Sequence, residues 1–114
     1  MNRNLPPLIR RNADSLCILA KASPGQAKKF IHNASPSFLK ALSLISYNLL
    51  NKAFPMKRAQ LSKLTPYADN FRNLAQKSLS TKKRRVEILQ GGFLPVLLSF
   101  LASAVLPRII KKIL

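Results

Sequence analysis

The chain has 114 residues, with 20 Lys and Arg against three Asp and Glu, a formal charge of +17 and 47% apolar content. That length allows one small domain. The single cysteine excludes an internal disulfide framework, and one histidine without neighbouring cysteines excludes the usual zinc spacings. So large an excess of one sign opposes compaction and calls for a polyanionic partner, nucleic acid or an anionic lipid surface, while the apolar content separates the chain from disordered polycations.

The start, MNRNLPPLIRRNADSL, lacks the apolar stretch of a secretory signal because Pro6, Pro7, Arg10 and Arg11 interrupt it, so export by the standard route is not expected. A reducing compartment or a virion interior suits the lone Cys17. Next, Ile9, Ala13, Leu16, Cys17 and Ala20 form a weak helical stripe. Ser23-Pro24-Gly25-Gln26 has the form of a capping box with proline at the first helical position, and Ala27, Phe30, Ile31 and Ala34 continue it as a short stripe. Ser35-Pro36 repeats the signal and opens the strongest helix, on which Phe38, Leu39, Leu42, Ile45, Leu49 and Leu50 recur at helical spacing. Lys40, Ser43 and Asn48 fall on its other faces.

Pro55 breaks the pattern, Leu61 and Leu64 resume it, and Thr65-Pro66 gives a third start before Ala68, Phe71, Leu74 and Ala75. No segment alternates strictly or carries a β-branched run. The expected class is all-α: a small basic region of several short helices followed by a C-terminal apolar amphipathic helix. Residues from about 8 to 79 should pack four or five short helices around Phe30, Phe38, Leu42, Ile45, Leu49, Phe71 and Leu74. A core drawn from roughly 70 residues is marginal by itself, and partial order without a partner is expected.

Seventeen of the 20 basic residues precede Gly91. The densest run, Lys82-Lys83-Arg84-Arg85, falls in a helix expected to start at Ser80-Thr81 and to run through Leu89 before Gly91 and Gly92 end it. These four residues, with Lys57, Arg58, Lys28, Lys29, Arg10 and Arg11, are the candidate contacts to DNA phosphates. None is paired with Asn or Gln in an arrangement that reads bases, so binding should be nonspecific. The run also has the form of a nuclear-import signal, and a plain solvated face is the third reading.

Between Glu87 and Arg108 lie 20 uncharged residues, the minimal length for crossing a bilayer. Gly91, Gly92, Pro95 and Pro107 weaken that reading. The helix core from Phe93 to Leu106 covers about 21 Å, short of the ~30 Å hydrocarbon layer, and cations flank both ends. An interfacial helix is preferred, with Phe93, Leu94, Leu97, Leu98, Leu101, Val105, Ile109, Ile110 and Ile113 entering the membrane and Arg108, Lys111 and Lys112 at headgroups. Ser99, Ala102 and Ser103 make a small-residue strip for a neighbouring helix. The alternative is a helix packed onto the basic region or into a capsid groove. The expected organisation is therefore a basic helical region over 1–79, a basic helix and Gly-Gly junction over 80–92, and an apolar tail over 93–114.

The stretch KKRRVEILQGGFLPVLLSFLASAVL resembles the C-terminal region of adenovirus core protein X precursors, and more closely the X-like proteins of adintoviruses and polinton elements. The likeness extends back through ILAKASPGQAKKFIHNASPSFLKALSLISYNLLNKAFPM and covers roughly residues 18–107. Leu89-Gln90-Gly91-Gly92 before Phe93 fits the form cut by adenovirus-type cysteine proteases, an aliphatic residue, any residue and two glycines, with cleavage after the second. As a purely structural feature, the glycines end one helix and permit the next. The resemblance implies a virion component whose basic part neutralises packaged double-stranded DNA and whose tail engages membrane or capsid; the import-like run at 82–85 adds the host nucleus as a second location. Mature adenoviral X is richer in arginine than this chain, which puts DNA condensation as its sole role in question. The tail by itself is similar to amphibian skin peptides of the brevinin and temporin kind, which bear on its membrane physics and not on its origin.

No catalytic set, metal site or cofactor is expected. Asp14, Asp69 and Glu87 sit on separate segments, the first two as favourable early-helix anions, and Cys17 and His32 have no third orienting group. The expected function is a minor virion protein that binds double-stranded DNA nonspecifically through its basic residues, with a membrane-active or capsid-docking tail that is releasable by a viral cysteine protease. The alternative is a small cationic, toxin-like membrane-active protein.

Overall fold

The computed structural model describes residues 6–51, 54 and 56–113, with side chains through residue 109. Serine and proline set the helix starts. Pro7 stands at the first position of α1 (Pro7–Arg11), and α2 (Ala13–Lys21) follows after a break at Asn12, whose side-chain amide donates to the Leu8 carbonyl at 2.9 Å and to Ser37 Oγ at 3.2 Å. At α3 (Pro24–His32) the expected capping box forms: Ser23 Oγ accepts from the Gln26 N–H at 3.3 Å while Gln26 Oε1 accepts from the Ser23 N–H at 3.1 Å. Ser35 Oγ caps α4 (Pro36–Leu50) by accepting from the Phe38 N–H at 3.1 Å. Each cap satisfies a donor that the first turn leaves without a helical partner.

The third start departs from expectation. Thr65 and Pro66 lie in a single 3₁₀ turn (Thr65–Tyr67) between α5 (Arg58–Leu64) and α6 (Ala68–Leu74). Thr65 Oγ1 donates back to the Leu61 carbonyl at 3.0 Å. A hydroxyl engaged with the preceding helix is a continuation, and Pro66 fits because the tighter turn needs no N–H from it. Ser80 then caps α7 (Thr81–Leu89), accepting from the Lys83 N–H at 3.2 Å.

Beyond Gly91, whose φ of +53° is the left-handed conformation that ends a helix, the apolar tail forms one continuous helical rod: α8 (Phe93–Phe100), a π-helical turn (Leu101–Val105) and α9 (Leu106–Ile113). Within the π turn, the Leu106 N–H bonds to the Leu101 carbonyl, five residues back. This wider turn comes just before Pro107, which has no N–H and whose ring would crowd the Ser103 carbonyl in a regular helix. Ser103 Oγ donates to the Ser99 carbonyl at 2.8 Å.

The helix α4 is central and packs against α1, α6 and α7, while the α8–α9 rod lies on α2 and α7. One apolar cluster runs from Ile9 to Ile109. The expected core residues Phe38, Leu42, Ile45, Leu49, Phe71 and Leu74 are buried, and Phe30 is half-buried with its ring edge-on to Phe38. The radius of gyration, 12.9 Å, is that of a compact chain of this length, about 13 Å. The all-α class holds, with no strand among the described residues. Over residues 7–74 there are six α-helices rather than four or five.

The tail shares one core with the basic region. Phe93, Leu94, Leu97, Leu98, Leu101, Val105 and Ile109, expected to enter a membrane, are buried in the common core. Phe71 explains much of this. Its ring meets Phe93 at 4.9 Å and Phe100 at 5.6 Å between centroids, both edge-on, so the rod completes a core that residues 6–79 leave open. Packing of the tail onto the basic region, the alternative at the level of sequence, is the arrangement seen. Ser99, Ala102 and Ser103 face solvent with Pro95 and Pro107, and Ile110 and Ile113 lie outside the described side chains.

Candidate nucleic-acid interface

The ten candidate phosphate contacts separate into two groups. Arg10 and Arg11 on α1, Lys28 and Lys29 on α3, Lys57 and Arg58 at the start of α5, and Lys82 and Lys83 on α7 are exposed. They occupy four helices, of which α3 and α7 pack together, so the basic surface is distributed and not a single stripe. Lys21, Lys40, Lys63 and Lys77, which the sequence does not single out as contacts, are exposed as well.

Arg84 and Arg85 belong elsewhere. Arg84 is only 5% exposed. Its Nε donates to Ser43 Oγ at 2.8 Å, and its Nη2 to the Lys77 carbonyl at 3.1 Å with the Gln76 carbonyl at 3.5 Å. Arg85, half-buried, donates from Nε to the Ile31 carbonyl at 3.1 Å and from Nη2 to the Ala34 carbonyl at 2.9 Å. The two guanidinium groups thus tie α7 to α4, to the turn after α6 and to the end of α3, where carbonyls lack helical partners and the dipole favours a cation.

Helix geometry accounts for the split. Thr81, Arg84, Arg85 and Ile88 follow the i, i+3, i+4, i+7 spacing of an inward face, with Ile88 fully buried, whereas Lys82, Lys83 and Val86 point outward. That spacing is the signal by which the sequence could have assigned the arginines a packing role. Only arginine has the planar fork that reaches two carbonyl groups at once. Among the described residues the one ion pair is Arg72 with Asp69, exposed on α6. The hydrogen bonds of Arg84 thus go to neutral acceptors. Glu87, one turn further along α7, has its Oε1 buried without a hydrogen-bond partner among the described residues.

At the junction, Gln90, Gly91 and Gly92 are exposed and Leu89 is half-buried, but Phe93 is buried under Phe71. The Phe93 N–H closes a turn onto the Gln90 carbonyl at 3.1 Å. A protease groove takes its substrate extended, so this segment has to unwind locally, lifting Phe93, before it fits. Among the described residues no single helix is long and apolar enough to cross a membrane. The tail passes such a test only when joined to α7, from which it is bent by 94°.

Asp14 and Asp69 lie in the first turns of α2 and α6, as expected of early-helix anions. Cys17 is half-buried on α2 and His32 exposed at the end of α3. No group of three His, Cys, Asp or Glu able to hold a metal exists among the described residues. Comparison with protein families, with curated proteins and with solved structures finds no match to this chain.

Proposed function

We propose that this chain is a nonspecific binder of double-stranded DNA, acting as a minor structural protein of a virion. The observation that carries the DNA part is the charge: +17 over 114 residues with three acids, and eight of the ten candidate contacts exposed. A folded surface with so few anions is stabilised by a polyanion that screens its self-repulsion. The virion assignment rests on the likeness of residues 18–107 to the X-like proteins. Arg84 and Arg85 are not counted among these exposed contacts, because the fold engages Nε and Nη2 of each.

Duplex binding should show little sequence preference and weaken steeply with salt, by about a thousandfold or more between roughly 50 and 200 mM if six or more phosphates are contacted. Fluorescence anisotropy with two duplexes of unrelated sequence measures both properties. Salt-independent binding, or none at low salt, would sink the proposal.

A second reading follows from the exposed Gln90-Gly91-Gly92 turn: cleavage after Gly92 frees the rod, whose apolar face is then available to a membrane. It predicts that an adenovirus-type cysteine protease splits the chain there, and that anionic vesicles leak after cleavage and not before. Leakage by the uncut chain, without retention on DNA, would instead favour the toxin-like alternative.

A further inference from the structure

A groove of about 400 Å³ opens between α4 and the turn joining α6 to α7. Lys40 and Tyr47 line it from α4, Gln76 and Lys77 from the turn, and the buried Ser43 and Arg84 form its floor. No acidic residue lines it. The hydrogen bonds of Arg84 use Nε and Nη2, leaving Nη1 without a partner among the described residues. Tyr47 is 50% exposed and also borders an adjoining groove of about 460 Å³ that holds Asn51 and Arg72.

These features are those of an anion seat. A guanidinium taken out of water against neutral dipoles is incompletely compensated, and an anion at Nη1 supplies the missing charge. Because Nε and Nη2 are already fixed, the guanidinium has little rotamer entropy left to lose. Lys40 and Lys77, both exposed, add mobile point charges at the mouth. Phosphate oxygens, with several lone pairs each, can accept from all three. Past Tyr47 the neighbouring groove carries Arg72, whose charge is shared with Asp69, so the cationic seat lies in the first groove and the two together leave room for a linear backbone, with the phenol ring as a wall for sugar or base. An isolated lipid headgroup would use only one of them.

We infer that the Lys40–Lys77–Arg84 groove seats one phosphodiester of a nucleic-acid backbone, an inference that rests on the DNA-binding reading and gives it a location. The probe is a 12-base-pair duplex added to ¹⁵N-labelled full-length protein, followed by backbone amide and arginine Nε–H resonances. Signals of Ser43, Tyr47, Gln76, Lys77 and the Arg84 side chain should shift first and saturate together, and inorganic phosphate should move the same set at higher concentration.

Lys40→Gln with Lys77→Gln alters only exposed residues and leaves the Arg84 hydrogen bonds in place. It should lower the salt slope by about 1.8 and affinity by roughly 30-fold at about 0.15 M salt, if both lysines meet phosphate. Lys21→Gln with Lys63→Gln, exposed residues outside both the groove and the candidate contact set, removes equal charge and should lose clearly less and keep the groove shifts. Equal losses in the two variants, or duplex-induced shifts confined to other surfaces, would overturn the groove assignment while leaving DNA binding intact. No duplex binding by the unaltered protein would overturn the reading beneath it. Shifts at the groove with phosphatidylserine vesicles but not with duplex would assign the seat to a lipid headgroup and refute the inference.

Discussion

Replacing Phe100 by alanine isolates the question of whether the apolar rod is part of the fold. Phe100 is 2% exposed and its ring stands 5.6 Å from that of Phe71, edge-on. Truncating a buried phenylalanine costs about 3–5 kcal/mol, the lost transfer energy plus the cavity left behind. With the unfolding entropy of a chain this long, that lowers Tm by about 12–20 °C. Thermal unfolding followed by circular dichroism at 222 nm, at fixed salt, reads this directly. Combining the change with Phe71→Leu should recover a coupling of about 0.5–1.5 kcal/mol, the excess of an aromatic pair over its buried area. If the rod were a loosely attached peptide, Phe100→Ala would behave as a surface substitution. A fall in Tm smaller than about 2 °C would therefore refute the packing described for residues 93–109.

Two further outcomes follow from the same contacts. Arg84→Ala should cost about 2–4 kcal/mol by leaving Ser43 Oγ and the Lys77 carbonyl without their donor, whereas Lys82→Ala, two residues away and exposed, should stay within about 0.5 kcal/mol; urea unfolding of both variants separates a packing arginine from a solvated lysine. Gly91→Ala meets no atom within 4 Å but keeps φ at +53°, so its cost is that of the left-handed backbone alone, about 1–2 kcal/mol. Gly92→Ala, with ordinary contact to Tyr67 Oη at 3.9 Å and no positive φ, should unfold close to the unaltered protein in the same measurement.

The helices were largely legible because their signals are local. Ser23, Ser35 and Ser80 cap as their spacing implies, and the stripe from Phe38 to Leu49 is buried as its period requires. Thr65-Pro66 misled because the same pair serves a 3₁₀ continuation, and only the direction of the Thr65 hydroxyl distinguishes the two. The destination of the tail was not legible. An apolar stripe such as Phe93, Leu97 and Leu101 states that a face must leave water, not whether lipid, a partner or the chain's own core receives it. Phe71 decides the matter here, from a position more than 20 residues earlier. Charge was ambiguous in the same way: Lys82 and Arg84 count equally in a net charge, yet one meets solvent and the other is a buried fastening. The groove beside Arg84 joins Lys40, Tyr47 and Lys77 from distant segments, and no spacing in the sequence announces it.

The exposed Gln90-Gly91-Gly92 turn is also the only covalent tie between the rod and the helices it rests on. While that tie is intact, docking of the rod is intramolecular, and its effective concentration is fixed by a turn of a few residues and independent of how dilute the protein becomes. A cut after Gly92 would remove no side-chain contact, yet would convert docking into a bimolecular equilibrium. Crowded molecules would keep their rods, and the same molecules released into a large volume would shed them. In a cleaved chain, the nine buried side chains from Phe93 to Ile109 thus become a gauge of confinement, holding at high local concentration and letting go on dilution.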